Sequence, residues 1–291
     1  MNGHSLLLAL VATMGLFGLV RAADPPVTPV PIEQLPTDAK LAKIVFVAGS
    51  NFFKPGEHEY PAACAVLMDL VRQTPGVFPV YAVDWPKKPE TFAGAKAVIF
   101  FLDGGDKHPF LKEKRLAEVQ KLIDSGVGFV QFHQIVDYPK DLGDRVRGWA
   151  GAAWEKGYSE RAHWVAKFET FPDHPVVRGV TPFEVNDGWL TKLRFASDLK
   201  GVAQLVKTTN PKATAKPTET EPIVGWAFDR PGGGRSFSFT GGHLHVSFGQ
   251  EGYRKLLVNG ILWSAGLEVP AKGFPVALTD GDRDKYLAPK K

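Results

Sequence analysis

In the first half of the chain, apolar positions fall in short unbroken runs, the form that predicts buried strands. Ile44 to Val47 make such a run within a strand expected over 43–48, and runs over 77–83, 95–102 and 127–132 repeat it. Between them, apolar residues recur at helical spacing. Ala63, Val66, Leu67 and Leu70 mark a helix over 57–72. Leu111, Leu116, Val119, Leu122 and Ile123 mark another over 109–125, stopped by Gly126. Near-continuous apolar strands separated by helices predict an α/β fold with a mainly parallel sheet covered on both faces.

The second half is less regular. Residues 135–162 hold Trp149, Trp154 and several glycines but no clear period. Strands are expected over 163–169, 201–207, 223–229 and 235–240, and an amphipathic helix over 253–267 closes the domain. The stretch TTNPKATAKPTETEP, 208–222, reads as an exposed loop. Asn186-Asp187-Gly188 reads as a turn. Residues 23–40 carry five prolines and read as an extended linker without a core, with order beginning at Leu41. The polar tail, 269–291, is expected to pack loosely.

Composition narrows the class. With 291 residues, 44% hydrophobic and 23% charged, the chain can bury one large core, expected over 41–268. Net charge is +4, but the lysines are scattered and form no basic stripe interleaved with aromatics, so no nucleic-acid partner is expected. Residues 1–22 read as a signal peptide: the apolar run Leu6 to Val20 is too short to span a bilayer comfortably and meets Val20-Arg21-Ala22, a small-residue cleavage pattern. The mature protein is then secreted or periplasmic, without stable membrane association. Cys64 is the only cysteine and sits in a helical apolar pattern, where it reads as a small buried hydrophobe.

The candidate chemistry lies at strand ends. In SFSFTGGHLHVSF, an apolar strand runs into Gly241-Gly242 and then delivers His243 and His245, two apart and so on one side of an extended segment. GVGFVQFHQ ends in His133. IVFVAGSNFFKPGEHEY runs from a strand through a Gly-rich loop to His58-Glu59. Ligands of open parallel sheets bind beyond the carboxyl ends of the strands, where these segments and Asp103 should converge. Neutral imidazoles suit a divalent metal, so His133, His243 and His245 are the candidate ligands, with His243 nearest the glycines entering the site and His245 behind it. His58 and Glu59 are candidates for a further ligand or base, and Asp187 for a supporting carboxylate. Plainer readings stand beside these: Glu59 as a first-turn acid, His133 as a hydrogen-bonded core residue, and His108, His163 and His174 as structural or rim residues. Trp149, Trp154, Trp189 and Tyr158 could stack on sugars or pack in the core. There is no G-x-S-x-G elbow, no P-loop and no strand-linked G-x-G-x-x-G.

Taken together, His58-Glu59 after its strand and loop, FVQFH, DHPVVRGV, and GRSFSFTGGHLHVSF followed by a helix with Trp263 resemble the ThuA-like (trehalose utilisation) family over roughly 41–267. The resemblance implies a class I glutamine amidotransferase-like fold, a flavodoxin-like three-layer sandwich. Amidotransferases carry a nucleophilic Cys at the sharp turn after a central strand. Here that turn follows FVQF and begins with His133, so glutaminase chemistry is not expected. The resemblance further implies a small sugar substrate, particularly 3-keto-glycosides made by an upstream oxidoreductase, and a divalent ion such as Zn, Mn, Ni or Fe. A ketone at C3 acidifies the C2 hydrogen, so a base can remove it and the C1 substituent can leave. The expected function is thus an exported metal-dependent lyase or hydrolase; the alternative is a non-catalytic carbohydrate-binding or partner-binding domain on the same fold.

Overall fold

The protein is described by a computed structural model over residues 28–50, 53–196, 198–212 and 222–287. The expected signal peptide, residues 23–27 of the linker, and 213–221 of the polar loop lie outside these.

The chain runs β1 (Ala42–Ala48), α1 (Tyr60–Arg72), β2 (Val77–Val83), the one-turn α2 (Pro89–Phe92), β3 (Ala97–Phe101), α3 (Arg115–Asp124), β4 (Gly128–Phe132) and α4 (Lys140–Ala150). Then come the short β5 (Ala152–Ala153), β6 (Glu160–Phe168), β7 (Phe183–Thr191), the short β8 (Arg194–Phe195), β9 (Val202–Lys207), β10 (Ile223–Asp229), β11 (Arg235–Phe239), α5 (Glu251–Ser264) and α6 (Asp280–Asp284). Seven strands form the main sheet in the order β2-β1-β3-β4-β11-β10-β9. From β2 to β11 every pairing is parallel, and β10 lies antiparallel to both β11 and β9. The fold is the expected mainly parallel α/β sandwich. One core packs α1 and α5 on one face of the sheet, with Phe46, Ile99, Val130 and Phe237 pointing into it. The other holds Val47, Val98, Phe100 and Phe129 with Val119 of α3 and Val146 and Trp149 of α4. Each such side chain, removed fully from water, contributes about 1.5–3 kcal/mol before conformational entropy is charged against it.

Several sequence expectations are corrected. Residues 135–162 are not irregular, since α4 lies there, burying Leu142, Val146, Trp149 and Ala150. Gly143, Gly148 and interspersed charges thin its apolar stripe. The first helix starts at Tyr60 rather than residue 57, because His58 takes a left-handed backbone (φ 49°) that no helix accepts. The helix expected over 109–125 is a 3-10 turn, Pro109–Leu111, followed separately by α3. Asn186-Asp187-Gly188 is no turn but the middle of β7, paired with β6. The tail packs closely, burying Val269, Phe274 and Val276. The linker is tied down too: Ile32 bridges to Tyr81 at the sheet edge, and the Glu33 carboxylate accepts from the Lys87 and Lys88 amides and the Thr91 hydroxyl. Trp149, Trp154 and Trp189 are buried.

This topology positions the site. The chain turns from β1 to one neighbour, β2, and then crosses to the other, β3, so the carboxyl ends of β1, β3, β4 and β11 open on one crevice.

Candidate metal centre

Three loops leave that edge. The loop after β1 carries Glu57, His58 and Glu59; β4 passes directly into a 3-10 turn that begins with His133; and Gly241-Gly242 after β11 lead to His243. The first and third loops are knitted together by backbone hydrogen bonds. The His58 amide donates to the His243 carbonyl (2.8 Å) and the His245 amide to the Gly56 carbonyl (3.0 Å). His133 occupies the sharp turn after the central strand with φ 57°. Two non-glycine residues in the left-handed region, both histidines at one site, is strain of the kind that surrounding structure must hold in place.

The three rings meet. One nitrogen from each of His58, His133 and His243 lies within 4.8 Å of the other two. The His133 and His243 ring centres are 5.5 Å apart, and Nε2 of His58 and of His133 are 3.0 Å apart. Tautomers follow from partners. His133 Nδ1 faces the Thr240 carbonyl at 2.8 Å, and a carbonyl only accepts, so Nδ1 carries the proton and Nε2 a lone pair. His58 must then donate from Nε2, which leaves its buried Nδ1 bare and without a hydrogen-bond partner, 3.9 Å from an Asp103 oxygen. Moving the His58 proton to Nδ1 points it at Asp103 and turns two Nε2 lone pairs toward each other. That arrangement is stable only around a cation, so the residues fit a metal ion.

Electrostatics agree. Burial pushes the His58 pKa down to about 3, with help from His243 and His163. Burial first, then His58, holds His133 well below the ordinary imidazole value. Burial followed by His163 lowers His243, against an opposing pull from Glu57. All three are neutral at physiological pH, the state in which imidazole binds metal.

The cluster opens into a cavity of about 630 Å³, walled on the sheet side by His58, His133 and His243 and on the other by Arg161, His163 and Asn186 of the β6–β7 hairpin. A second cavity, about 450 Å³, lies at the amino ends of β3, β4 and β11; Arg230 there donates to the carbonyls of Val127, Gly233 and Arg235 and to the Ser236 hydroxyl.

Not every candidate reaches this site. Asp187 is fully buried behind the His243 loop and accepts from the amides of Gly188 (2.7 Å), His243 (2.8 Å), Gly242 (3.0 Å) and Leu244. Burial still pushes its pKa up to about 6. It anchors the loop and is not on the cavity wall. His245 turns away as well, because a 3-10 helix, His245–Gly249, begins there instead of a strand, and its Nε2 meets the Arg283 carbonyl at 2.8 Å. Glu59 is buried and accepts from the Gly56 amide. Sequence reasoning missed one group that lines the cavity, Glu57, and placed another, His163, only as structural or at the rim. His163 stands 4.4 Å from His243, ring centre to ring centre, opposite Gly188, where a Cβ would come within 2.8 Å of its Nε2. A glycine inside a strand signals such a close approach, but the turn reading of Asn186-Asp187-Gly188 hid it.

The family model for ThuA, described as trehalose utilisation, matches residues 43–264. This chain belongs to the ThuA family. Among solved structures it is similar to a ThuA-like protein from Bacteroides uniformis, at 14% identity and TM-score 0.56, covering 84% of this chain and 98% of the other. It is also similar to one from Parabacteroides merdae, at 16% identity and TM-score 0.52, covering 84% and 99%. At these identities the likeness establishes the ThuA fold. No curated protein matches the chain.

Proposed function

We propose that this ThuA protein is an exported metal-dependent lyase or hydrolase acting on glycosides or 3-keto-glycosides. The observation that carries the reading is the trio of neutral imidazoles, His58, His133 and His243, gathered on a cavity large enough for a small sugar. His58, His133 and His243 would hold a divalent ion such as Zn, Mn, Ni or Fe. When bound, the ion supplies a Lewis acid that polarises a substrate carbonyl. The remaining walls do the rest. Arg161, fixed by Asp137 (2.6 Å) and stacked over Trp154, offers donors to hydroxyl groups. An upstream oxidoreductase would make the 3-keto substrate, and residues 1–22 would direct export.

Elemental analysis of the purified protein, followed by turnover of 3-keto-glucosides with and without EDTA, tests the reading. Stoichiometric metal and chelator-sensitive turnover are expected. Metal-free protein whose activity EDTA leaves unchanged would refute it.

A further inference from the structure

A substrate held in this cavity needs a group to take its proton, and the histidines at the cluster are committed elsewhere. Among the described residues lining the cavity, Glu57 alone bears a carboxylate. Its Oε2 stands 3.9 Å from His243 Nε2, and a third of the side chain faces solvent. Its backbone is fixed by a bridge to Leu244 and by a hydrogen bond that its amide donates to the Lys54 carbonyl. Neighbouring carboxylates are engaged: Glu59 by the Gly56 amide, Asp103 by the Tyr60 hydroxyl, Asp137 by Arg161, Asp187 by backbone amides.

Resting on the functional reading above, we propose that Glu57 is the catalytic base of this site, in place of His58 or Glu59. Glu57 takes the C2 proton of a 3-keto-glycoside. The C–H electron pair becomes the C2–C3 double bond as the C3 oxygen takes up the charge. When the C3 carbonyl re-forms, the pair moves to C1–C2 and the C1–O bond breaks. The departing oxygen leaves as the alcohol, carrying the proton that Glu57 removed. One substrate yields one unsaturated ketone and one alcohol, with no oxidant or reductant. A positioned base of this kind accelerates such a step by about 10²–10⁴-fold.

The test uses full-length protein and a 3-keto-glucoside deuterated at C2, comparing wild type, Glu57→Gln and His163→Gln. Glu57→Gln should lose turnover and deuterium washout by about 100-fold or more while keeping its metal content and melting temperature. Formate should restore part of the rate to Glu57→Ala, which a structural role would not permit. His163→Gln, whatever it does to KM, should wash out deuterium at least about tenfold faster than Glu57→Gln. The proposal falls if Glu57→Gln washes out deuterium at the wild-type rate. It falls equally if that variant loses the metal, which would make Glu57 a ligand, or if the loss follows His163. A metal-loaded wild type that neither exchanges nor eliminates would instead overturn the functional reading itself.

Discussion

The two walls of the cavity are built differently. On the sheet side, His58 and His133 are 3% and 1% exposed, sit on strained backbones, and are bonded to neighbours in the loops and sheet. On the hairpin side, Arg161, His163 and Asn186 are exposed residues on β6 and β7, where alternate positions face outward while Trp164, Ala166 and Phe168 face the core. A buried, over-determined wall keeps imidazoles neutral and in place, as an ion requires. An exposed polar wall can meet many substrates by changing side chains without disturbing the core. On the proposed function, the sheet wall would carry the chemistry common to any substrate, and the hairpin wall the choice among substrates.

That division can be broken at several points. The largest effect is expected from His133→Ala, which removes an imidazole from the rigid wall. Metal affinity should fall about 1000-fold or more, measured by competition with a chromogenic chelator. Retained affinity would show that the sheet wall is not the ion's seat.

Acid stability comes next. In metal-free protein, folded His58 titrates near 3 rather than 6.5, so the unfolded chain binds the proton first as pH falls, and stability is lost from about pH 6.5 downward. Asp187 runs oppositely. Its folded pKa of about 6 lies above the ordinary 3.8, so its contribution is lost as pH rises from about 4 to 6, by about 3 kcal/mol. Asp187→Asn should remove that opposing slope, so the variant gains stability with pH more steeply than wild type, read from urea midpoints between pH 4 and 7. Equal slopes would contradict the assignment.

Gly242→Ala should cost about 2–3 kcal/mol, because its φ of 119° suits only glycine and a Cβ would meet Phe101 at 2.9 Å. Gly188→Ala presses mainly on the movable end of His163, so about 1 kcal/mol is expected in thermal unfolding. The smallest effect belongs to Arg161→Met on the hairpin wall. There KM should rise about threefold with kcat unchanged, and a loss of kcat instead would move Arg161 into the chemistry.

Much of the sheet was legible in the sequence because buried parallel strands are unbroken apolar runs, as at Ile44 to Val47. The strand-end histidines were legible because carboxyl ends are where such sheets place ligands. What stayed hidden depended on backbone conformation. His245 and His243 are two apart, and on a strand both would face the site, yet the chain turns into a 3-10 helix between them and sends His245 to Arg283. Asp187 looked like a turn carboxylate and is the buried anchor of the loop it faces. By itself the sequence determined the alternating elements, the family, and two of the three clustered histidines, His133 and His243, as candidates for the site, because hydrophobic period and short motifs are local. Only the tertiary structure decided that His58 is the third member, that His245 is not, and that Glu57 and His163 share the cavity. Those outcomes hang on loop bonds between residues nearly two hundred positions apart, such as His58 to His243, and local pattern carries no record of them.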